Sequence, residues 1–199
     1  MDESVKLALA KWPNVPHCYG WLALDARGAF RMRDHAAQAA QQPGDVIRHP
    51  ALLSFIYRNY AHDARGAWYF QNGPQRVYVE LETMPFIART DPALGFVTHD
   101  GKALGEVRQA FMTDDGRLLL QTASRIAMLD DRDLAQSLPR LNMESQPCDD
   151  TALIDWLKSP IRMLELMLDA QPIRVEWLAS DALESRFGFV ARPSRLGSR

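Results

Sequence analysis

Asp63-Ala64-Arg65-Gly66-Ala67-Trp68-Tyr69-Phe70-Gln71-Asn72-Gly73-Pro74-Gln75-Arg76-Val77-Tyr78-Val79-Glu80-Leu81-Glu82 is the stretch that decides the fold of this chain. Asp favours the start of a tight turn, and Gly accepts the positive φ such a turn needs. An aromatic run of β-type residues follows, and Asn72-Gly73-Pro74 marks a second turn. Beyond it Val77, Val79 and Leu81 point one way while Arg76, Tyr78, Glu80 and Glu82 point the other, as the two-residue period of a strand requires. The stretch reads as an antiparallel hairpin with one apolar and one polar face.

Working outward, the same four letters recur at Asp25-Ala26-Arg27-Gly28, between Gly20–Asp25 and Ala29–Arg33. These flanks read as a first hairpin, with Phe30 and Met32 on one face and Arg31 and Arg33 on the other. Ser4 to Trp12 predicts a short helix, ended by Pro13 and Pro16, and an extended aromatic lead-in carries the chain to the first strand. The run Asp34 to Gly44, small and polar, reads as a connector. Pro50 then suits a first helical position, and Leu52, Leu53, Ile56 and Tyr60 form an apolar stripe over residues 50–61. The order hairpin, helix, hairpin predicts an antiparallel sheet covered on one face by a helix.

Past Pro85 the scheme starts again. Strands are predicted at Phe96–His99, Gln109–Thr113, Arg117–Gln121 and Ile126–Leu129, with turns at Asp100-Gly101 and Asp114-Asp115-Gly116. Asp131 to Leu138 reads as a short helix. Thr151–Lys158 and Pro160–Asp169 read as two helices broken at Ser159-Pro160, since Leu157, Ile161, Leu164 and Leu168 share a helical face. Ile173–Trp177 and Phe187–Ala191 read as a closing strand pair. The expectation is an α+β chain of two packed halves, 1–84 and 85–199, each a mainly antiparallel sheet of hairpins with helices on one face, related by internal duplication.

Trp68-Tyr69-Phe70, Val77 to Glu82, Pro85-Phe86-Ile87-Ala88, Leu157 to Leu168 and the closing strands together resemble an uncharacterised proteobacterial family known as a domain of unknown function. The resemblance covers roughly Cys18 to Val190. It implies two similar α+β halves with a cleft between them and a role in ligand sensing or signal transduction. It carries no catalytic residues.

Composition narrows the classes. A net charge of −2 gives no basic stripe of the kind nucleic-acid readers carry. No run approaches the roughly 18 apolar residues of a membrane span, the N-terminus shows no secretory pattern, and Cys18 and Cys148 make no Cys-x-x-Cys pair. A reduced cytoplasmic protein is expected. His17, His35, His49, His62 and His99 include no pair at metal-site spacing, so no metal or other cofactor is expected. Nucleophile and phosphate-loop motifs are likewise missing, and no catalytic residue is assigned.

The candidate ligand-binding residues are Trp68, Tyr69, Arg76, Tyr78, Glu80 and Glu82. Glu80 and Glu82 lie two apart on one strand face, about 7 Å from each other, where they suit a cation, an amine or a shared proton. The reading is a non-enzymatic protein that binds a small molecule or a protein partner in the seam between its halves. The alternative is a hydrolase or transferase with Glu80 or Glu82 as general base. A homodimer through the sheet face is a third expectation.

Overall fold

The two Asp-Ala-Arg-Gly segments fold into one and the same turn. Asp25 and Asp63 donate their amides to the carbonyls of Ala29 and Ala67 at 3.1 and 3.0 Å, and the amides of Gly28 and Gly66 return to the aspartate carbonyls at 3.0 Å each. Gly28 and Gly66 sit at φ +79° and +81°, the left-handed conformation that closes a three-residue hairpin loop. The aspartate side chain completes the turn. Asp63 Oδ1 accepts the amides of Arg65 and Ala67 at 2.9 and 3.1 Å, and Asp25 Oδ1 accepts those of Arg27 and Ala29 at 3.0 and 2.8 Å. The same backbone pattern recurs at Thr98–Lys102 and Thr113–Arg117, with threonine in place of aspartate.

A computed structural model describes residues 1–169 and 171–194. The chain is α+β and divides into two compact units: Met1–Pro85 together with the segment from Gly188, and Phe86–Phe187. Among the described residues no helix is long and apolar enough to cross a membrane.

The first unit opens with helix α1 (Glu3–Lys11) and strands β1 (Cys18–Leu24) and β2 (Phe30–Met32). Helix α2 (His35–Ala39), β3 (Asp45–Val46) and α3 (Pro50–Arg58) follow, then β4 (Tyr60–His62), β5 (Trp68–Asn72) and β6 (Gln75–Leu81). The sheet order is β3-β2-β1-β6-β5-β4, antiparallel throughout except for the central parallel pair β1 and β6. α3 starts at Pro50, with His49 Nδ1 accepting the amide of Leu52. It covers the face that carries Leu22, Leu24, Val79 and Phe70, where Phe55 meets Phe70 edge to face at 5.3 Å.

The second unit contains β7 (Ile87–Asp91), β8 (Gly95–Thr98), β9 (Gln109–Thr113), β10 (Leu118–Gln121) and β11 (Ile126–Leu129). Helix α4 (Asp131–Ser137), β12 (Leu141–Met143), β13 (Gln146–Pro147) and α5 (Asp150–Lys158) come next, then β14 (Leu164–Leu168), β15 (Gln171–Leu178) and α6 (Leu183–Phe187). Its sheet runs β13-β12-β14-β15-β9-β10-β11-β7-β8. Ala110, Met112, Leu118, Leu120, Leu164, Leu166 and Val175 form the core of one face, against which Trp156 of α5 packs.

The six inner strands of this larger sheet, β11-β10-β9-β15-β14-β12, repeat the first sheet's order and every strand direction, including the central parallel pair. Even the register agrees. Counting back from the equivalent turns, Thr113 takes the place of Asp25, so that Phe111 paired with Glu176 corresponds to Ala23 paired with Glu80.

Three expectations are corrected. Pro160–Asp169 is not a helix: its core is strand β14, because Leu164 and Leu166 are both buried in the two-residue period of a sheet. Phe187–Ala191 does not pair with β15. Leu183–Phe187 is helix α6, and Val190 instead makes a single parallel bridge to Ala67 in the first unit. The polar run 34–44 is more than a connector, since Asp34 accepts the amide of Ala37 at 2.8 Å and so caps α2.

Candidate functional site

The first unit's sheet has a second face, away from α3, and the polar residues of β6 lie on it. At one end sits a tyrosine cluster. Tyr19 stacks on Tyr78 with ring centroids 4.6 Å apart and planes 7° from parallel, and Tyr69 meets Tyr78 at 5.7 Å. The guanidinium of Arg76 lies 4.5 Å over the Tyr69 ring. The Tyr78 hydroxyl donates to Asp63 Oδ2 at 3.0 Å, and that oxygen also receives Arg65 at 3.0 Å. Burial pushes the Asp63 carboxyl up, but the amides and side chains of Ala67, Arg65 and Tyr78 outweigh it and hold the group below its ordinary value. Burial, and then the neighbouring Tyr78, raise Tyr19. His17 packs on the edge of Tyr78 at 5.8 Å and is shifted down, first by burial and then by the positive charge of Arg76. The segment beyond Gly188 closes this end, with Val190 donating its amide to Gly66 at 3.1 Å and packing against the tyrosines.

At the other end the face opens into a bowl of about 550 Å³. Its floor is β1 and β6 at Gly20, Ala23, Glu80 and Leu81; its walls are Arg31 and Arg33 of the β2 edge, Gln38 and Gln42 around α2, Glu82, and Arg192 at the rim. Arg33 is committed on two sides: Nη1 pairs with Glu80 Oε2, and Nε donates to the Gln42 carbonyl at 3.1 Å. Arg31 is equally engaged, through Nε to Asp25 Oδ2 at 2.8 Å and Nη1 to the Gly44 carbonyl at 3.1 Å. Glu82 Oε2 accepts the amide of Ala26 at 3.0 Å across the first hairpin turn.

Gly20 shapes the bowl. Its φ of +80° lies in the irregular part of β1, between the pairs Cys18–Val77 and Leu22–Val79. A Cβ there would stand 2.8 Å from Gln38 Oε1 and 3.7 Å from Glu80 Oε1, so α2 approaches the sheet over a position that has no side chain. Gln38 is held by its other end, Nε2 donating to the Arg33 carbonyl at 3.0 Å, which leaves Oε1 aimed at Gly20.

Of the residues singled out by sequence, Tyr69, Arg76, Tyr78, Glu80 and Glu82 share this face, the first three in the tyrosine cluster and the two glutamates in the bowl. Trp68 does not join them. It packs at a tilt on Tyr60, ring centroids 4.6 Å apart, and Tyr60 is itself in edge contact with Phe30, on the side covered by α3. Sequence reasoning did not find Arg31, Arg33, Gln38 or Gly20 as parts of a site. The alternation of Arg31 and Arg33 with Phe30 and Met32 was the available signal for the two arginines. A smaller apolar recess of about 260 Å³ lies under α3, lined by Trp21, Leu22, Met32, Leu52, Ile56 and Phe70 among others. Among the described residues no three His, Cys, Asp or Glu side chains are grouped to hold a metal ion.

Comparison with known proteins adds a family and no activity. No curated protein matches the chain. A crystal structure of a DUF1285 family protein from Silicibacter pomeroyi DSS-3 is similar over 82% of this chain and 84% of its own, at 12% identity and a TM-score of 0.47. A family model matches residues 1–194, and the chain thus belongs to the family DUF2944, described as a protein of unknown function (DUF2946).

Proposed function

We propose that the protein is a non-enzymatic binder of a small polar molecule, held in the bowl on the first unit's sheet face, and that it works as a ligand sensor. The observation that carries the reading is the exchange of Ala23 for Phe111 at one register position of two sheets with the same strand order. In the second unit the Phe111 ring is buried beneath α6, in edge contact with Phe187 at 5.3 Å. In the first unit a methyl group stands there, and the face is a cavity of a size usual for small-molecule sites. An internal duplication followed by divergence at this position accounts for one filled and one open copy.

The general-base reading has less support. Glu80 is paired with Arg33, Glu82 is exposed to water, and neither stands alone in a closed pocket. The test is Ala23→Phe, which installs the second unit's ring in the first. A panel of polar metabolites at millimolar concentration should contain a compound that raises the wild-type melting temperature and leaves Ala23→Phe unmoved, with the far-ultraviolet circular dichroism of the two proteins superimposable. If no compound shifts the wild type, or if Ala23→Phe responds equally, the bowl is not the binding site.

A further inference from the structure

Taking the bowl as the binding site, we infer that its ligand carries a primary ammonium group, which meets Gln38 Oε1 and Glu80 Oε1 beside Gly20, and that a second ammonium, about one strand repeat further, meets Glu82. The ligand class is an aliphatic diamine or polyamine.

Many of the polar atoms in the bowl are already used. Two of the three arginines around it are spent within the protein, Arg31 on Asp25 and Gly44 and Arg33 on Glu80 and Gln42, and the third, Arg192, is exposed at the rim, away from the floor. Asp25 is spent too, on two amides and Arg31. What remains is acceptor capacity. Glu80 gives only Oε2 to Arg33, Glu82 gives only Oε2 to Ala26, and Gln38 uses only its amino group. Three oxygens, Glu80 Oε1, Glu82 Oε1 and Gln38 Oε1, are left without a donor among the described residues. The part of a ligand that meets these oxygens brings hydrogen-bond donors, which an ammonium group does with three N–H bonds and a positive charge.

Geometry places the first of these donors. Gln38 Oε1 packs over Gly20, 2.8 Å from where a Cβ would stand, and Glu80 Oε1 lies 3.7 Å from the same point, so the two oxygens face one small region of the floor. Any other residue at position 20 would fill that space. The second unit supplies a parallel from its own chain. Over Phe111, the register partner of Glu176, lies the guanidinium of Arg186, 5.5 Å from the ring centroid. The face that is filled has thus been given a cation of its own, and the open face has carboxylate oxygen to spare. Glu80 and Glu82 are separated by about two strand residues, roughly 7 Å, a distance that the nitrogens of a short diamine span.

The experiment is isothermal titration calorimetry of the full chain with 1,4-diaminobutane and with spermidine, and with succinate and a neutral hexose for contrast. The expected result is saturable one-to-one binding of the amines, roughly ten- to a hundredfold weaker in Glu80→Gln and in Gln38→Met, as loss of a charge-assisted hydrogen bond demands. Glu82→Gln should weaken spermidine and diaminobutane while leaving a monoamine of equal length unchanged. Glu106→Gln, which removes an exposed carboxylate of the second unit, should bind as the wild type does. Equal loss in Glu106→Gln would reduce the effect to bulk charge and overturn the inference. Binding of succinate or hexose in place of the amines, abolished by Ala23→Phe, would overturn the ammonium assignment and leave the bowl as the binding site. Should none of these compounds bind, the amine assignment falls, and the metabolite panel alone then decides whether the bowl binds anything. Because Glu80→Gln also breaks the Arg33 pair, Gln38→Met, which leaves that pair intact, gives the independent reading.

Discussion

The two units lay six strands in the same order and direction, yet the face that is filled over Phe111 in one sheet is left open over Ala23 in the other. In the second unit Phe111 is almost fully buried and roofed by Arg186 and Phe187. In the first, the corresponding Ala23 leaves a floor, and the space above it is edged by side chains that hold one another instead of filling it. Strand pairing therefore does not decide whether a sheet face becomes core or site. One residue's volume at a shared register position does, together with what the rest of the chain brings over it.

That comparison is most sharply broken by Phe111→Ala. Removing the ring should cost about 3–5 kcal/mol, lower the melting temperature and raise hydrogen exchange across β9 and β15, while β1 and β6 stay protected. A loss spread evenly over both sheets would mean that the filled face is not what holds the second unit.

Next comes the same turn in two settings. Gly66 and Gly116 both have φ of +81°, but a Cβ on Gly66 would stand 2.1 Å from the Gly188 carbonyl oxygen whereas one on Gly116 meets nothing within 4 Å. Gly116→Ala should cost only the left-handed penalty, about 1–2 kcal/mol. Gly66→Ala adds a backbone clash and should exceed it by at least about 1 kcal/mol, as read by chemical denaturation. Equal costs would show that the segment after Gly188 yields freely.

Acid should separate the units further. Asp130 caps α4 and pairs with Arg132; burial pushes its carboxyl up, but the Arg132 side chain and amide pull harder and hold it at about 2, against an ordinary 3.8. A folded-state value below the unfolded one contributes stability that is complete above the ordinary carboxylate range and is lost as pH falls towards the folded value. The protection factors of the α4 amides, corrected for the intrinsic exchange rate at each pH, should fall between pH about 5 and about 2 in the wild type, and Asp130→Asn should be weaker at neutral pH and nearly flat over that window. A flat wild-type profile would remove the pair from the account. The smallest effect is expected of Tyr78→Phe, which deletes the 3.0 Å bond to Asp63 for about 0.5–1.5 kcal/mol.

How much of this was legible in the chain follows from the range of the forces involved. The hairpins were, because Asp-x-x-Gly turns and the alternation of Val77 to Glu82 are local. So were α3, with Pro50 and its apolar stripe, and the segment Ile126–Leu129. Leu157, Ile161, Leu164 and Leu168 fit a helical spacing equally well, and only burial of Leu164 and Leu166 against β12 and β15 turned that segment into a strand. The parallel joining of β1 to β6 was not legible, since it links residues more than fifty apart. With it went the bowl: Arg33 reaches Glu80 only because β2, β1 and β6 lie side by side. Gly20 read as strand, its role set by the distant Gln38.

The closure of Gly66 by Gly188 has a consequence for the order of events during synthesis. The second unit is contiguous in the chain, but the first needs Val190 against Gly66 and the carbonyl of Ala191 on the amide of Leu81, which leave the ribosome only after residues 86–187. At about 5–20 residues per second, the tyrosine end of the first sheet waits on the order of 5–20 s with its Gly66 edge bare. A chain truncated after residue 187 and released should then hold a finished second unit and a first sheet still open to proteases and chaperones.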